Sequence, residues 1–246
     1  MQPYFFPYLG YFQLIKAVDE FILYDKVAYI KKGWMNRNRI GVVNDMDRMI
    51  VVPVVNASSN KLIQEVRIDN SQNWAEKILQ FIFFNYKKSK HFDEVYSLVE
   101  NLLFNDYEYI SELNAATTIG VARYLGISTS IISDTSCFAD MEISLEKETY
   151  NEFFIGEVVP ERKTARVIEI CRKENASTYV NPIGGTELYD KGVFRSYGVD
   201  LEFVKMRNVV YPHFTKEFVP GLSIIDVLFQ NGKEKTKSLL DEYDLV

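Results

Sequence analysis

The order of helix-forming and strand-forming segments leaves few folds open to this chain. A helical pattern over residues 107–125 is followed by the apolar segment STSIISDTS, and a second over 163–173 is followed by STYVN. The segment GGTELYDKGVFRSYG, also helical in pattern, is followed by VDLEFVKMR. A helix followed by a strand, repeated three times, is typical of parallel crossover connections. The sequence therefore predicts an α/β fold with a mainly parallel, Rossmann-like sheet flanked by helices.

A helical insertion is predicted at about residues 70–125. Trp74, Ile78 and Ile82 recur at helical spacing, and Val95 and Val99 begin a second apolar stripe. No Ser-, Gly- or Pro-rich stretch divides the chain, and 47% hydrophobic residues supply a substantial core. We therefore expect residues 1–246 to form a single domain that contains this insertion.

Shorter patterns predict the remaining elements. EFILYDKVAYI and MIVVPVV are strand candidates, and Pro53 in the second indicates an edge or a bulge. GLSIIDVLFQNG is typical of a capped helix with Ser223 and Asp226 in its first turn. Asp226 is either a buried functional carboxylate or a first-turn acid favoured by the helix dipole, and the pattern favours the dipole role.

Composition excludes several classes of protein. The formal charge of −6 is spread along the chain, which argues against a nucleic acid duplex as partner. Cys137 and Cys171 match neither a disulfide framework nor a metal-ligand spacing, so no metal site is predicted. The apolar runs are shorter than the roughly 20 residues of a membrane-spanning helix. With no export signal evident, we expect a cytoplasmic protein without a transmembrane segment.

The aromatic opening MQPYFFPYLGYFQLI is a candidate binding wall. Its polar members are Gln2, Tyr4, Tyr8 and Tyr11. Aromatic faces stack on a base or a sugar, and phenols form hydrogen bonds. The alternative is a hydrophobic cap that closes the N-terminal edge of the fold.

Polar residues gather in the segment YDKVAYIKKGWMNRNRI, which follows a predicted strand. Open α/β sheets bind ligands at this edge. Its candidate ligand-binding residues are Asp25, Tyr29, Asn36, Arg37 and Asn38. An arginine, Arg37 or Arg39, would grip a phosphate or carboxylate through two hydrogen bonds, and the asparagines would point to the opposite face of an extended strand. The alternative is a solvated turn leading into a strand.

The segment YVNPIGGTELYD supplies a second candidate anion site. Asn181, Gly184, Gly185 and Tyr189 lie between a predicted strand and a predicted helix, where backbone N–H groups meet an anion. The spacing matches neither a P-loop nor a dinucleotide fingerprint, and the glycines are equally explained by backbone geometry. His213 is a candidate acid–base residue, with a structural hydrogen bond as the alternative.

Four motifs in this order resemble the WbqC-like protein family: MQPYFFPYLGYFQLI, YIKKGWMNRNRI, YVNPIGGTELY and LSIIDVL. The resemblance covers nearly the whole chain. Members occur among genes for O-antigen and related surface polysaccharides, and the family is linked to the decoration of amino sugars, including glycyl transfer. The resemblance also places Gln2, Tyr4, Tyr8 and Tyr11 in the first loop at the sheet edge.

The resemblance implies an enzyme of surface-polysaccharide precursor synthesis. It would bind a dTDP- or UDP-linked amino sugar and acylate its amine with an aminoacyl group such as glycyl; the acyl donor and any cofactor stay open. Asp25 or His213 would take the amine proton, since the unprotonated amine is the nucleophile. The alternatives are a non-catalytic module that binds a nucleotide sugar or a partner enzyme, and a nucleotidyltransferase.

Two departures from the family pattern matter. Members usually carry a short apolar strand before the Gln-Pro-Tyr motif, whereas this chain begins at Met1, so that strand is either absent or encoded upstream. Members often carry paired acids followed by Val-Gln, whereas this chain has Asp25, Lys26, Val27 and Ala28, which argues against a metal at that position. We expect Tyr4, Tyr8, Asp25, Arg37, Asn38 and the Gly184–Gly185 turn to line one cleft.

Overall fold

Helices account for most of the regular structure in the computed structural model, which describes residues 1–41, 48–147, 154, 159–212 and 218–246. The α-helices of this described part are α1 Leu9–Lys16, α2 Trp74–Tyr86, α3 Phe92–Leu103, α4 Ile110–Tyr124, α5 Ala139–Glu146, α6 Arg162–Lys173, α7 Lys191–Ser196 and α8 Ile224–Leu239. Helices α2, α3 and α4 form the predicted helical stretch.

The strands are short. Those within the described ranges are β1 Glu20–Ile22, β2 Arg37–Ile40, β3 Arg48–Val51, β4 Val54–Val55, β5 Arg67–Ile68, β6 Ser130–Ile132, β7 Thr178–Pro182, β8 Asp200–Met206 and β9 Tyr243–Leu245. Strands β1 and β6 pair in parallel, as do β7 and β8. The β2–β3, β4–β5 and β8–β9 pairs are antiparallel. The α/β class is confirmed, whereas a continuous Rossmann-like sheet is not, because these pairings form four small sheets.

The backbone clusters into two compact units. Unit 1 comprises Met1–Ser133 and Asn208–Glu242, and unit 2 comprises Asp134–Arg207 and Tyr243–Val246. The single domain expected from the sequence stays a prediction.

The core of unit 1 is built from the apolar stripes and the aromatic opening. On α2, the predicted residues Trp74, Ile78 and Ile82 are all buried. Every residue of α1 except Lys16 is buried. Phe5 and Phe6 from the opening segment are fully buried as well. The hydrophobic effect on these large side chains supplies the main stabilisation of this unit.

Unit 2 is a small α/β unit around the β7–β8–β9 sheet. Its core contains Phe154, Ile168, Cys171, Phe194 and Phe203. The β7–α7–β8 connection joins two parallel strands, as the helix–strand order predicts. The antiparallel strand β9 was not expected from the sequence, and it pairs with the end of β8.

Some predicted elements are shorter than expected. The strand predicted over 49–55 is divided into β3 and β4, with Pro53 between them, where proline lacks a ladder donor. The helix predicted from the Gly184–Gly185 turn is a 3-10 helix at Ile183–Glu187 followed by α7. No helix in the described ranges is long and apolar enough to cross a membrane.

Candidate functional site

The aromatic opening divides into buried phenyl rings and partly accessible phenols. Phe5, Phe6 and Tyr11 are fully buried, whereas Tyr4 and Tyr8 are half-buried. The Tyr11 hydroxyl donates to the Gln2 carbonyl oxygen at 2.8 Å. Burial raises the pKa values of Tyr4, Tyr8 and Tyr11, so all three phenols stay neutral at physiological pH. The opening therefore contributes to the core through its phenylalanines, while Tyr4 and Tyr8 keep part of their surface accessible.

Side chains and N–H groups from distant elements fix the opening backbone. The Asn38 Nδ2 donates to the carbonyls of Phe5 at 2.9 Å and Phe6 at 2.7 Å. The Ser223 Oγ also donates to the Phe6 carbonyl, and the Ile224 N–H donates to Pro7. Phe6 has a φ of 41°, a left-handed conformation that non-glycine residues adopt only where their surroundings impose it. This network therefore determines where the opening phenols lie.

Strand β2 separates arginines from buried polar and apolar side chains. Asn38 and Ile40 are buried, and Arg37 and Arg39 alternate with them and are partly exposed. The prediction that the arginines and asparagines point to opposite faces is therefore confirmed. The Asn36 Oδ1 accepts from the Tyr29 hydroxyl and its Nδ2 donates to the Val52 carbonyl, both at 2.8 Å.

The side-chain amides of Asn36 and Asn38 already have hydrogen-bond partners inside the protein. Both N–H groups of Asn38 are used on the opening loop, and its Oδ1 accepts from the Arg39 N–H. A sugar contact by Asn38 would replace one of these internal bonds. Binding of sugar hydroxyls by Asn36 and Asn38 stays a prediction. In the structure, both side chains are buried and form hydrogen bonds that stabilise the backbone around the arginines.

The arginine face of β2, formed by Arg37 and Arg39, has the chemistry of an anion site. The Arg37 Nε is buried and has no hydrogen-bond partner among the described residues. The Arg37 charge acts to lower the pKa of Tyr29, although burial is larger and leaves that pKa raised. The Arg39 guanidinium lies 5.8 Å from the ring centroid of Trp34, which is 41% exposed. A buried donor without a partner is costly, and a bound phosphate oxygen would satisfy it.

A buried carboxylate, Asp226, forms hydrogen bonds that connect the end of β2 to the core of unit 1. Asp226 lies in the first turn of α8, as predicted, and it is fully buried. Its Oδ1 accepts from the Tyr86 hydroxyl at 2.6 Å, and its Oδ2 accepts from the Tyr211 hydroxyl at 3.2 Å. The Gly41 N–H in turn donates to the Tyr86 hydroxyl. We call these four residues the Asp226 cluster; it connects the end of β2 to α2 and α8.

Electrostatics keep both phenols of the Asp226 cluster protonated. Burial, then the charge of Asp226 and the hydrogen bond to it, hold the pKa of Tyr86 well above its ordinary value. The same causes raise the pKa of Tyr211. A Cβ added at Gly41 would lie 2.7 Å from the Asp226 Oδ1, so any larger residue there would displace the carboxylate from its two phenols. The sequence did not identify Tyr86 or Tyr211, although Tyr86 continues the buried stripe of α2.

Asp25 and His213 are the two predicted base candidates. Asp25 is half-buried, and its backbone carbonyl accepts from the Gln64 N–H at 3.3 Å. His213 lies outside the described residues. Those residues contain no group of three or more His, Cys, Asp or Glu side chains placed to hold a metal ion.

The second predicted anion site lies in unit 2. Asn181 is a buried residue near the end of β7, and the 3-10 helix Ile183–Glu187 follows this strand. A Cβ at Gly185 would lie 2.2 Å from the Asn181 Nδ2, whereas a Cβ at Gly184 would meet nothing within 4 Å. Tyr189 is half-buried, with a pKa raised by burial. Close packing against Asn181 thus explains why position 185 is a glycine. The anion-binding role of the turn and its grouping with Arg37 stay predictions.

Comparison with known proteins places these features in a family. The WbqC-like protein family matches residues 2–238. The uncharacterized protein Rv1507c of Mycobacterium tuberculosis is 30% identical over 237 residues, which cover 95% of this chain and 93% of the relative. No solved structure matches the chain. The match includes both the opening segment and the Asp226 cluster, and the chain belongs to the WbqC-like protein family.

Proposed function

We propose that this protein is a cytoplasmic transferase of surface-polysaccharide precursor synthesis. It acylates the amine of a dTDP- or UDP-linked amino sugar, with an aminoacyl group such as glycyl as the transferred group. The family membership supports the pathway, in line with the association expected from the sequence. The observation that carries the proposal is the buried Nε of Arg37, which has no hydrogen-bond partner among the described residues, on the partly exposed arginine face of β2.

The arginine face supplies the binding chemistry. A guanidinium offers a planar fork of donors that matches two oxygens of a diphosphate. Trp34, which is 41% exposed, provides aromatic surface for a base or a sugar beside Arg39. Tyr29 is only 2% exposed, and its hydroxyl donates to the Asn36 Oδ1, so it supports the arginine face from within the core. The Asp226 cluster and the Asn38 contacts hold this strand rigidly, which lowers the entropic cost of binding.

The reaction requires an unprotonated amine. Its nitrogen attacks the carbonyl carbon of the activated acyl donor, the new N–C bond forms, and the bond to the donor's leaving group breaks. The amine proton passes to a base, for which Asp25 and His213 are the candidates. The donor's leaving group departs with the bonding electron pair.

Saturation-transfer NMR with dTDP- and UDP-linked amino sugars tests the binding. We expect binding by the wild-type protein and a loss of roughly 10- to 100-fold in affinity in Arg37→Gln, because a hydrogen bond to a charged group is removed. Arg48→Gln is the matched control, since Arg48 is an exposed arginine on the neighbouring strand. Absence of binding across the panel, or equal losses in both variants, would refute the assignment.

Turnover distinguishes an enzyme from a binding module. Asp25→Asn and His213→Ala are assayed by mass spectrometry for the acylated sugar, with binding measured in parallel. The enzyme predicts that one of these variants loses product while affinity stays within a few-fold. A wild-type protein that binds the sugar but forms no product with any class of activated acyl donor is the binding module.

A further inference from the structure

An aromatic and basic surface on α2 lies outside the site described above. Phe84 is 68% exposed and Phe83 is 41% exposed. Four exposed lysines follow or flank these rings: Lys77, Lys87, Lys88 and Lys90. The Lys87 Nζ lies 5.7 Å from the centroids of both phenyl rings. We call these six residues the α2 face.

The geometry of α2 explains why these side chains share a surface. Positions 77, 81 and 84 follow at intervals of four and three residues, which places them along one side of α2, and Lys87, Lys88 and Lys90 follow its C-terminal end. Trp74, Ile78 and Ile82 occupy the opposite, buried side. The Phe84 ring therefore projects from the unit, whereas the Phe83 ring keeps an exposed edge and also packs edge-on against Phe92 of α3, at 5.6 Å between centroids.

A groove continues the apolar surface beside the α2 face. It has a volume of about 360 Å³ and is lined, among others, by Met49, Val51, Lys77, Ile78 and Phe81. Met49 and Val51 are 42% and 45% exposed. Exposed apolar surface bordered by polar groups is typical of interaction sites.

The positive charge of the α2 face favours a negatively charged partner. Residues 74–91 carry four lysines and one acid, Glu76, in a chain whose formal charge is −6. Positive charge is thus concentrated where the phenyl rings are exposed. Phenyl rings with lysine stems beside them suit an anionic bilayer interface, where the rings insert and leave the ammonium groups among the headgroups.

We propose that the α2 face docks this protein on an anionic lipid bilayer. Phe83 and Phe84 enter the interface, and the lysines contact the phosphate headgroups. Binding at a surface of this kind combines buried apolar area with electrostatic attraction, so it needs anionic lipid and weakens with salt. The proposal is independent of the amino-sugar substrate.

Vesicle co-sedimentation tests the proposal directly on the full chain. The probes are vesicles of phosphatidylcholine alone and of phosphatidylcholine with phosphatidylglycerol in equal amounts. We expect at least about tenfold stronger partitioning onto the anionic vesicles, with a decline as NaCl is raised. Equal binding of the wild-type protein to both kinds of vesicle, or no binding to the anionic ones, would overturn the proposal.

Two matched variants locate the surface. Phe84→Ser is expected to lower partitioning about tenfold, because a phenyl ring no longer enters the interface. Phe104→Ser is the control, since Phe104 is 52% exposed and lies outside the α2 face. Equal partitioning of the two variants, with tryptophan fluorescence unchanged from wild type, would place the contact elsewhere and overturn the proposal.

Discussion

Replacement of Tyr86 by phenylalanine removes one hydroxyl from the Asp226 cluster and leaves the ring in place. The ring stays stacked on Phe229, at 4.4 Å between centroids and 13° between planes. The lost hydroxyl donates to Asp226 at 2.6 Å and accepts from the Gly41 N–H. A hydrogen bond to a buried charged group contributes roughly 1.5–3 kcal/mol, and the stranded N–H adds to the loss. We therefore expect Tyr86→Phe to lower the free energy of unfolding by about 3 kcal/mol.

Two further variants calibrate this expectation. The Tyr211 hydroxyl is 3.2 Å from Asp226, so Tyr211→Phe should cost less, about 1 kcal/mol. The Tyr4 hydroxyl lies 3.4 Å from the Gln2 Oε1 in a partly exposed position, so Tyr4→Phe should cost less than about 0.5 kcal/mol.

Urea unfolding followed by tryptophan fluorescence measures these changes. The chain has two tryptophans, Trp34 and Trp74, and both lie in unit 1, so the signal reports the unit that contains Asp226. The slope of the transition should stay unchanged among the variants. A Tyr86→Phe variant as stable as wild type, or less affected than Tyr211→Phe, would refute the role given to the Asp226 cluster.

Three further predictions concern packing, thiol reactivity and pH. Gly185→Ala should destabilise unit 2 by roughly 1–3 kcal/mol through overlap with Asn181, whereas Gly184→Ala, with open space around its Cβ, should be neutral in thermal unfolding. Cys137 is exposed, while burial raises the pKa of the Cys171 thiol to about 11, so a thiol reagent at pH 8 should label Cys137 rapidly and Cys171 only after unfolding, as mass spectrometry would show. The buried tyrosines of unit 1 have folded-state pKa values above the unfolded value of 10, so the unfolded state loses its tyrosine protons at lower pH than the folded state. The urea midpoint should therefore fall as pH rises above about 10. A midpoint that rises there would contradict the raised pKa values.

Local periodicity was sufficient to predict most helices. The predicted helix over 163–173 is observed as Arg162–Lys173, and the one over 107–125 as Ile110–Tyr124. These helices bury a continuous apolar stripe, which a 3.6-residue period reveals without tertiary information. The short antiparallel pairs were not predicted, because their partners are chosen by tertiary contacts that no local period encodes.

The arginine face was predicted from alternation along β2, but the roles beneath it were not. Asn38 binds the carbonyl of Phe5, 33 residues away, and Tyr86 binds Asp226, 140 residues away. Contacts at such separations leave no signal in a local pattern. For Asp226 the sequence favoured a helix-dipole role; its first-turn position is confirmed, and its burial between two phenols is visible only in the fold.

The most direct test of the amino-sugar proposal is a crystal structure of the protein with a bound dTDP-linked amino sugar. The quantity to measure is the distance from the Arg37 guanidinium nitrogens to the nearest phosphate oxygen. We predict a charge-assisted hydrogen bond of roughly 2.7–2.9 Å. A diphosphate bound elsewhere while Arg37 makes no contact with the ligand would contradict the account.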